Sequence, residues 1–310
     1  MDYQTFVHEK VAEIRQAVGD GRAINALSGG VDSSVVTVLG HRALGDRLTT
    51  VFIDNALMRE GEPERVIEVF ADMCIPVDRI DARADFLGAL RGLTDPEEKR
   101  NAVTATFYRK VFGDLVRKTG AQFLLHGTIL TDIEESVAGI KRQHNILAQL
   151  GIDPEKEYGY RVLEPLATLR KDGVREVARL LGLPRKLAER IPFPGPALAT
   201  RIVGEVTETR LATVRAATAV VEEELADSGA FQYMAVLLND RATGIRNAKR
   251  EFGEIIVLRC VDSVDAREAT ACELPWGKLR QICQRITAIP GVNRCLYDLT
   301  PKPPATIEYV

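Results

Sequence analysis

With 310 residues, 45% hydrophobic content and 27% charged content, the chain has the make-up of a globular protein large enough for two domains. A net charge of −3 gives no global reason to expect a nucleic-acid partner, and no apolar run approaches the roughly 20 residues that span a bilayer. The opening stretch MDYQTFVHEK is too polar and acidic for a signal peptide. The five cysteines are odd in number, widely spaced and form no C-x-x-C pair, so neither a disulfide framework nor a zinc site is suggested and a reducing, cytoplasmic setting is the plain reading.

In chain order, Val7, Val11, Ile14 and Val18 recur at helical spacing and predict an opening amphipathic helix. RAINAL reads as a short buried strand, SSVVTVLGHRAL as a helix, and LTTVFID as a second strand followed by a helix from Pro63 to Cys74. PVDRIDA is a weaker strand candidate, and a long helix is expected from Pro96 to Thr119. QFLLHG and RVLEPL read as further strands, and KDGVREVARLLG as a helix closed by Gly182 and Pro184. Strands alternating with helices predict an α/β fold, a mostly parallel sheet with helices on both faces.

The alternation stops at RIPFPGPALATR, where three prolines and a glycine permit neither a helix nor a central strand. Beyond it come a helix over about 207–228, strands at YMAVLL and EIIVLRCVD, a helix over about 275–288, and strands at NRCLYDL and ATIEYV. The expected division is therefore 1–190 for the parallel-sheet domain, 191–206 for a Pro/Gly-rich linker, and 207–310 for a small α+β domain.

The stretch ALSGGVDSSV carries the first chemistry. It lies after the first predicted strand and opens a helix, at the carboxyl end of the sheet, where open α/β folds bind ligands. Its glycines let a backbone approach an anion, and free N–H groups with the helix dipole attract one. Phosphate loops that transfer a terminal phosphoryl group place a lysine on the β/γ-phosphates. Here there is no lysine, and Asp32 stands in the loop instead. A carboxylate beside a polyphosphate needs a divalent cation between them, so the loop suits Mg²⁺-bound pyrophosphate held by hydroxyls and amides.

SGGVDSS resembles the PP-loop of the N-type ATP pyrophosphatases, and the chain as a whole resembles the ATP-pyrophosphatase subunit of GMP synthase. TVFIDNALMREGE, HGTILTDIEES, LEPLATLRKDGVREVARLLGLP, PFPGPALATRIVGEV and KPPATIEYV carry the likeness nearly end to end. It implies an adenine-nucleotide α-hydrolase-like domain with a dimerising α+β domain. The implied reaction is adenylylation of the XMP C2 oxygen by ATP with Mg²⁺, followed by amination to GMP. The implied partners are XMP or a related nucleotide, a second copy of the chain, and a separate glutamine amidotransferase subunit as ammonia source, since no cysteine here sits in a nucleophile elbow.

The likeness also assigns residues. Ser28, Gly29, Gly30, Val31, Asp32, Ser33 and Ser34 would hold pyrophosphate, with Ile53 and Gly127 by the adenosine and Asp132 and Glu135 near the phosphates or the metal. Asp32 and Glu135 are the expected metal ligands, and Asp32, Lys141 and His144 the expected catalytic residues, the last two in a lid. Arg201, Arg246, Lys302, Ile307 and Glu308 would bind the acceptor.

Four segments depart from the family's pattern. The lid reads IKRQHNILAQLG where the family has IKSHHNVGGLP, and TGIRNA at 243–248 replaces VGVQGD or VGVMGD. DNG has become DNA at 54–56, and PFPGPG has become PFPGPA with Ala197. Arg246 and the lost carboxylate at 248 make that wall more positive by two charges, which opens an alternative: a paralogue with the same activation step but another acceptor or a sulfur nucleophile.

Overall fold

The computed structural model describes residues 2–137, 155–156, 159–188, 193–264 and 266–309, the side chains of 135–137 excepted. The chain divides into two compact units. The first gathers Met1–Asp54, Gly61–Ala82 and Thr104–Arg190, and the second Asn55–Glu60, Arg83–Val103 and Ile191–Val310. Residues 55–60 and 83–103, inside the expected first domain, thus group with the C-terminal part of the chain.

The first unit is built on five parallel strands in the order β3-β2-β1-β4-β5: β1 Ala23–Ala26, β2 Leu48–Asp54, β3 Asp78–Asp81, β4 Phe123–Leu125 and β5 Arg161–Leu163. β1 is central and entirely apolar but for Asn25, as a strand covered on both faces should be. Helix α1 (Tyr3–Val18) is capped by Asp2, whose carboxylate accepts from the Gln4 N–H at 3.0 Å. Helix α2 (Val31–Leu44) buries Val35, Val36, Val38 and Leu39, and helix α3 (Glu62–Asp72) follows β2.

The predicted helix over 96–119 is one run in three parts: α5 (Pro96–Ala105, after a short α4 at Arg83–Leu90), a π-helical stretch at Thr106–Phe112, and α6 (Gly113–Thr119). Helices α7 (Leu130–Val137), α8 (Lys171–Leu180) and α9 (Arg185–Ala188) also belong to the first unit, whereas α4, and α5 up to Val103, group with the second.

Chain order reverses between β1 and β4: β1, β2 and β3 step one way and β4 and β5 the other. In open α/β sheets the loops leaving the carboxyl ends of the strands at such a switch point, here those after β1 and β4, form the ligand crevice.

The second unit pairs helix α10 (Glu208–Leu225) and helix α11 (Trp276–Thr287) with a sheet of β6 (Gln232–Arg246), β7 (Lys249–Asp262), β8 (Thr270–Ala271) and β9 (Val292–Tyr297). β6 and β7 form a long antiparallel hairpin, and β9 runs parallel to β7 on its other edge. Asn247 and Ala248 make a two-residue turn with φ of 49° and 58°, the backbone of a type I′ hairpin.

The strand expected at ATIEYV does not form. Arg259, 1% exposed, donates to the carbonyls of Thr300, Thr306 and Ile307 at 2.8–3.0 Å and pairs with Asp298 at 2.7 Å. Those carbonyls are taken up by a side chain, so the tail is pinned as irregular backbone instead of joining a ladder.

Candidate active site

The loop between β1 and α2 occupies the crevice. Gly29 takes φ = 76°, a left-handed turn that glycine enters without a Cβ penalty. Gly30 then caps α2 with extended backbone and no side-chain hydrogen bond, so the first N–H groups of the helix keep neither a helical carbonyl nor a cap. That is the arrangement that binds an anion.

The loop hydroxyls are set inward. Ser33 Oγ and Ser34 Oγ donate to the Gly30 carbonyl at 3.0 and 2.8 Å, and Ser33 Oγ accepts from the Ser28 N–H at 3.2 Å. Ser28 Oγ lies 2.9 Å from Ser33 Oγ.

Gly127, after β4, closes the other side. A Cβ there would come within 3.2 Å of the backbone of Asp32 and Ser33. Its role in this structure is close approach: it lets the β4 loop lie against the first turn of α2.

The missing lysine is supplied from elsewhere in the chain. Lys171, the first residue of α8, places Nζ 2.9 and 2.6 Å from the two carboxylate oxygens of Asp32. A cation therefore stands at the mouth of the loop although none is in its sequence. The side chain of Lys171 is 41% exposed, which leaves it free to turn toward an incoming anion. Nothing local in KDGVREVARLLG marks its first lysine for this role. The signal lies in the topology, because the first residue of a helix that follows a parallel strand sits at the carboxyl edge of the sheet.

Asp132 uses Oδ2 to accept the Ile129 N–H at 3.1 Å, and so shapes the turn that enters α7. Beside it, Thr128 donates to Glu164 Oε1 at 2.6 Å and lies 2.8 Å from His126 Nδ1. Because the threonine proton goes to Glu164, its oxygen accepts from the histidine, which fixes a proton on Nδ1. Ile53 is buried at the end of β2. Lys141 and His144 lie outside the described residues, as does the side chain of Glu135.

A metal in the loop would have Asp32 as its protein ligand. Among the described residues no group of three or more His, Cys, Asp or Glu side chains converges. A single carboxylate beside loop hydroxyls suits magnesium, a hard cation that takes one or two carboxylates from a protein and fills its other positions with waters and phosphate oxygens.

In the second unit, two of the expected acceptor residues converge on a third polar side chain. Arg201, 1% exposed, reaches Glu308 Oε1 at 3.3 Å, and Gln232 donates to the same oxygen. Arg201 Nε and Nη1 and Glu308 Oε2 are buried with no hydrogen-bond partner. Two donors and one acceptor are thus left unmatched in one buried cluster, where each such group costs about 1–3 kcal/mol.

Phe193 lies between two guanidinium groups, Arg59 at 3.8 Å and Arg201 at 4.7 Å from its ring centre. Ile307 packs in the core cluster of Met234, Val236, Val257, Val261 and Ala269. On the same tail, Lys302 Nζ donates to the Ala266 carbonyl at 2.7 Å. Gln232 and Arg259, which no sequence motif singled out, are the residues that fix this tail and its glutamate.

Arg246 is not part of that cluster. At the hairpin tip its guanidinium donates to the carbonyls of Thr287, Ile289 and Val292 at 3.1–3.3 Å and to Glu251 at 3.0 Å. It closes the carboxyl end of α11, where a cation also suits the helix dipole. The charge that set this chain apart from the family pattern is used on backbone.

The GMP synthase C-terminal domain family matches residues 219–309. The corresponding subunit of glutamine-hydrolyzing GMP synthase from Archaeoglobus fulgidus is 51% identical over 310 residues, covering 100% of both chains. Those of Pyrococcus horikoshii and Methanocella arvoryzae are 48% and 49% identical, covering 100% of this chain and 100% and 99% of theirs. At such identity over full length, the chain belongs to this family of GMP synthase subunits.

Proposed function

We propose that the chain converts XMP to GMP with ATP. The C2 oxygen of XMP attacks the α-phosphorus of ATP and pyrophosphate leaves. Ammonia then adds at C2, AMP departs with the former C2 oxygen, and one proton is released. The nitrogen comes as free ammonia or from a separate glutamine amidotransferase subunit, a reading supported by the relatives' designation as one subunit of a glutamine-hydrolyzing enzyme.

The observation that carries this is the β1–α2 loop at the switch point. An uncapped helix start, loop hydroxyls and the Lys171–Asp32 pair suit a polyphosphate, and the family likeness makes pyrophosphate the leaving group. Ser28, Gly29, Gly30, Val31, Ser33 and Ser34 hold the leaving pyrophosphate. Asp32 would hold magnesium, whose charge would neutralise the phosphates. Lys171, which pairs with Asp32, is placed to turn to the phosphates. The proposed roles of Lys141 and His144 in the lid, and of Glu135 at the metal, rest on the family likeness.

Arg201 and Glu308 hold the acceptor through the polar atoms now unmatched, with Gln232 fixing the glutamate and Lys302 and Ile307 beside them on the tail. Ammonia is a neutral nucleophile, so positioning and charge neutralisation carry the rate, with no need for a base of unusual pKa. The chain works as a symmetric homodimer through about residues 200–310. Exposed Ile245, Phe252 and Leu296 on this unit's strands support that assembly. Five free cysteines suit the cytoplasm, and no helix among the described residues is long and apolar enough to cross a membrane.

The test is purified chain with ATP, Mg²⁺, XMP and ammonium. AMP, pyrophosphate and GMP should appear in equal amounts. AMP and pyrophosphate without GMP would mean that water and not ammonia ends the reaction, and would overturn the amination.

A further inference from the structure

Asn25 is an anomaly. It sits in β1, the central strand, at 1% exposure, between Ile24 and Ala26. A primary amide there is costly unless its donor and acceptor are matched. They are matched by two threonines that are themselves buried. Thr50, its register partner on β2, donates to Asn25 Oδ1 at 2.8 Å. Asn25 Nδ2 donates to Thr37 Oγ1, in the second turn of α2, at 2.6 Å. Thr37 Oγ1 in turn donates to the Ser33 carbonyl at 2.8 Å. Ser33 is the residue whose hydroxyl receives the Ser28 N–H and donates to the Gly30 carbonyl.

Three hydrogen bonds run in one direction, Thr50 O–H to the Asn25 amide, Asn25 N–H to Thr37 Oγ1, and Thr37 O–H to the Ser33 carbonyl, and each polarises the next. The Ser33 hydroxyl, on the same residue, separately donates to the Gly30 carbonyl. The run of three starts in the sheet, crosses under the first turns of α2, and ends on the phosphate loop. Three apolar side chains of similar shape would fill the same space, and replacing both partners of a buried hydrogen bond by such groups is nearly neutral for stability. What three apolar residues could not supply is the second donor on the Ser33 carbonyl, which ties the first turn of α2, and with it the Ser33 and Ser34 hydroxyls, through Thr37 and Asn25 to β2.

We infer that Asn25, Thr37 and Thr50 are positioning residues for ATP: a buried relay, anchored on β2, that holds the phosphate loop in its binding geometry before the nucleotide arrives. None of the three touches the substrate. The inference rests on the ATP-binding reading of the loop.

The experiment uses the full chain and a non-hydrolysable ATP analogue with Mg²⁺, with calorimetric binding, melting temperature, and the KM values for ATP and XMP read in parallel. Thr37→Val keeps the shape, removes the relay hydroxyl and strands the Asn25 amide. It should weaken analogue binding by about ten-fold and raise the KM for ATP to match, with the KM for XMP unchanged. Thr37→Ser restores the hydroxyl and should bind within about two-fold of the wild type. The triple variant Asn25→Leu, Thr37→Val, Thr50→Val removes every relay group and leaves none unmatched. It should regain the wild-type melting temperature yet bind the analogue as weakly as Thr37→Val.

That split between stability and binding is what a merely structural network would not give. A triple variant that melts and binds like the wild type overturns the inference, as does a parallel rise in both KM values. Wild-type protein that fails to bind the analogue at all removes the ATP reading itself, and the relay with it.

Discussion

At the scale of single residues, Lys171 and Asp32 make the sharpest case. The pair is partly exposed, so the ion pair itself contributes less than about 1 kcal/mol. Its value lies in placing a cation at the loop. Lys171→Met should therefore leave the melting temperature within a few degrees of the wild type. Pyrophosphate release should fall by about 10²–10³, the range seen when one preorganised charge-stabilising donor is removed. Asp32→Ala should abolish pyrophosphate release with the fold intact. Near-normal AMP formation by either variant would remove that residue from the mechanism.

Lys99 presents the opposite problem. It is 2% exposed and donates to the Ile202 carbonyl at 2.7 Å, and burial, reinforced by nearby Arg210, lowers its pKa to about 8. The unfolded chain binds that proton up to a pKa of about 10.4. The penalty for a buried charge is then full below pH 8, fades as pH rises, and is gone above about 10.4. Lys99→Met removes the penalty. Its stability advantage over the wild type should be largest below pH 8 and shrink by on the order of 2 kcal/mol by pH 10.4. A pH-independent difference in denaturant unfolding would show that the amine stays normally charged in the fold.

At the scale of elements, the departures from the family pattern become backbone statements. Ala56 and Ala197 stand where the family has glycine, and both keep a left-handed backbone, with φ of 67° and 53°. Asn247 also replaces a glycine and also stays left-handed at 49°. All three positions take a glycine-like backbone, and the alanines carry strain of about 1–2 kcal/mol each. Ala56→Gly should stabilise the protein by about 0.5–1 kcal/mol after the entropy of glycine is counted. A destabilised variant in thermal unfolding would refute this account of the turn.

The hairpin tip tests the acceptor reading in the same way. Arg246→Gln gives up most of four hydrogen bonds onto Glu251 and the end of α11. Stability should drop by about 1–3 kcal/mol while the KM for XMP is unmoved. An XMP affinity that changes with that variant at unchanged stability would return Arg246 to the acceptor site.

Elements were legible where one kind of signal was strong. The β1–loop–α2 unit combined an apolar strand, glycines and a helical period in a short stretch of chain. The distal halves of β6 and β7 were missed because both of their faces are largely exposed and carry no apolar alternation. The tail was misread as a strand because ATIEYV has β-forming residues, whereas its carbonyls are claimed by Arg259. Lys171 and Asp32, 139 positions apart, were out of reach of any local pattern.

At the scale of the whole molecule, the remaining question is where nitrogen enters. Ammonia needs no activation beyond loss of a proton after it adds, and none of the residues described above forms a glutamine-hydrolysing centre. The chain alone should therefore aminate XMP with ammonium and be inert with glutamine. Because free NH₃ is the nucleophile, the rate at fixed total ammonium should rise about ten-fold per pH unit between pH 7 and 8, while the KM expressed as NH₃ stays constant. Adding the cognate amidotransferase should confer glutamine use without changing the KM for ATP or XMP, since it supplies a nucleophile and no part of either nucleotide site. Light scattering on the same samples should show a dimer at micromolar concentration. Glutamine-dependent GMP formation by the chain alone would demand a nucleophilic centre in it. A monomer with full ammonium activity would show that the acceptor residues work without a second copy, and would separate assembly from chemistry.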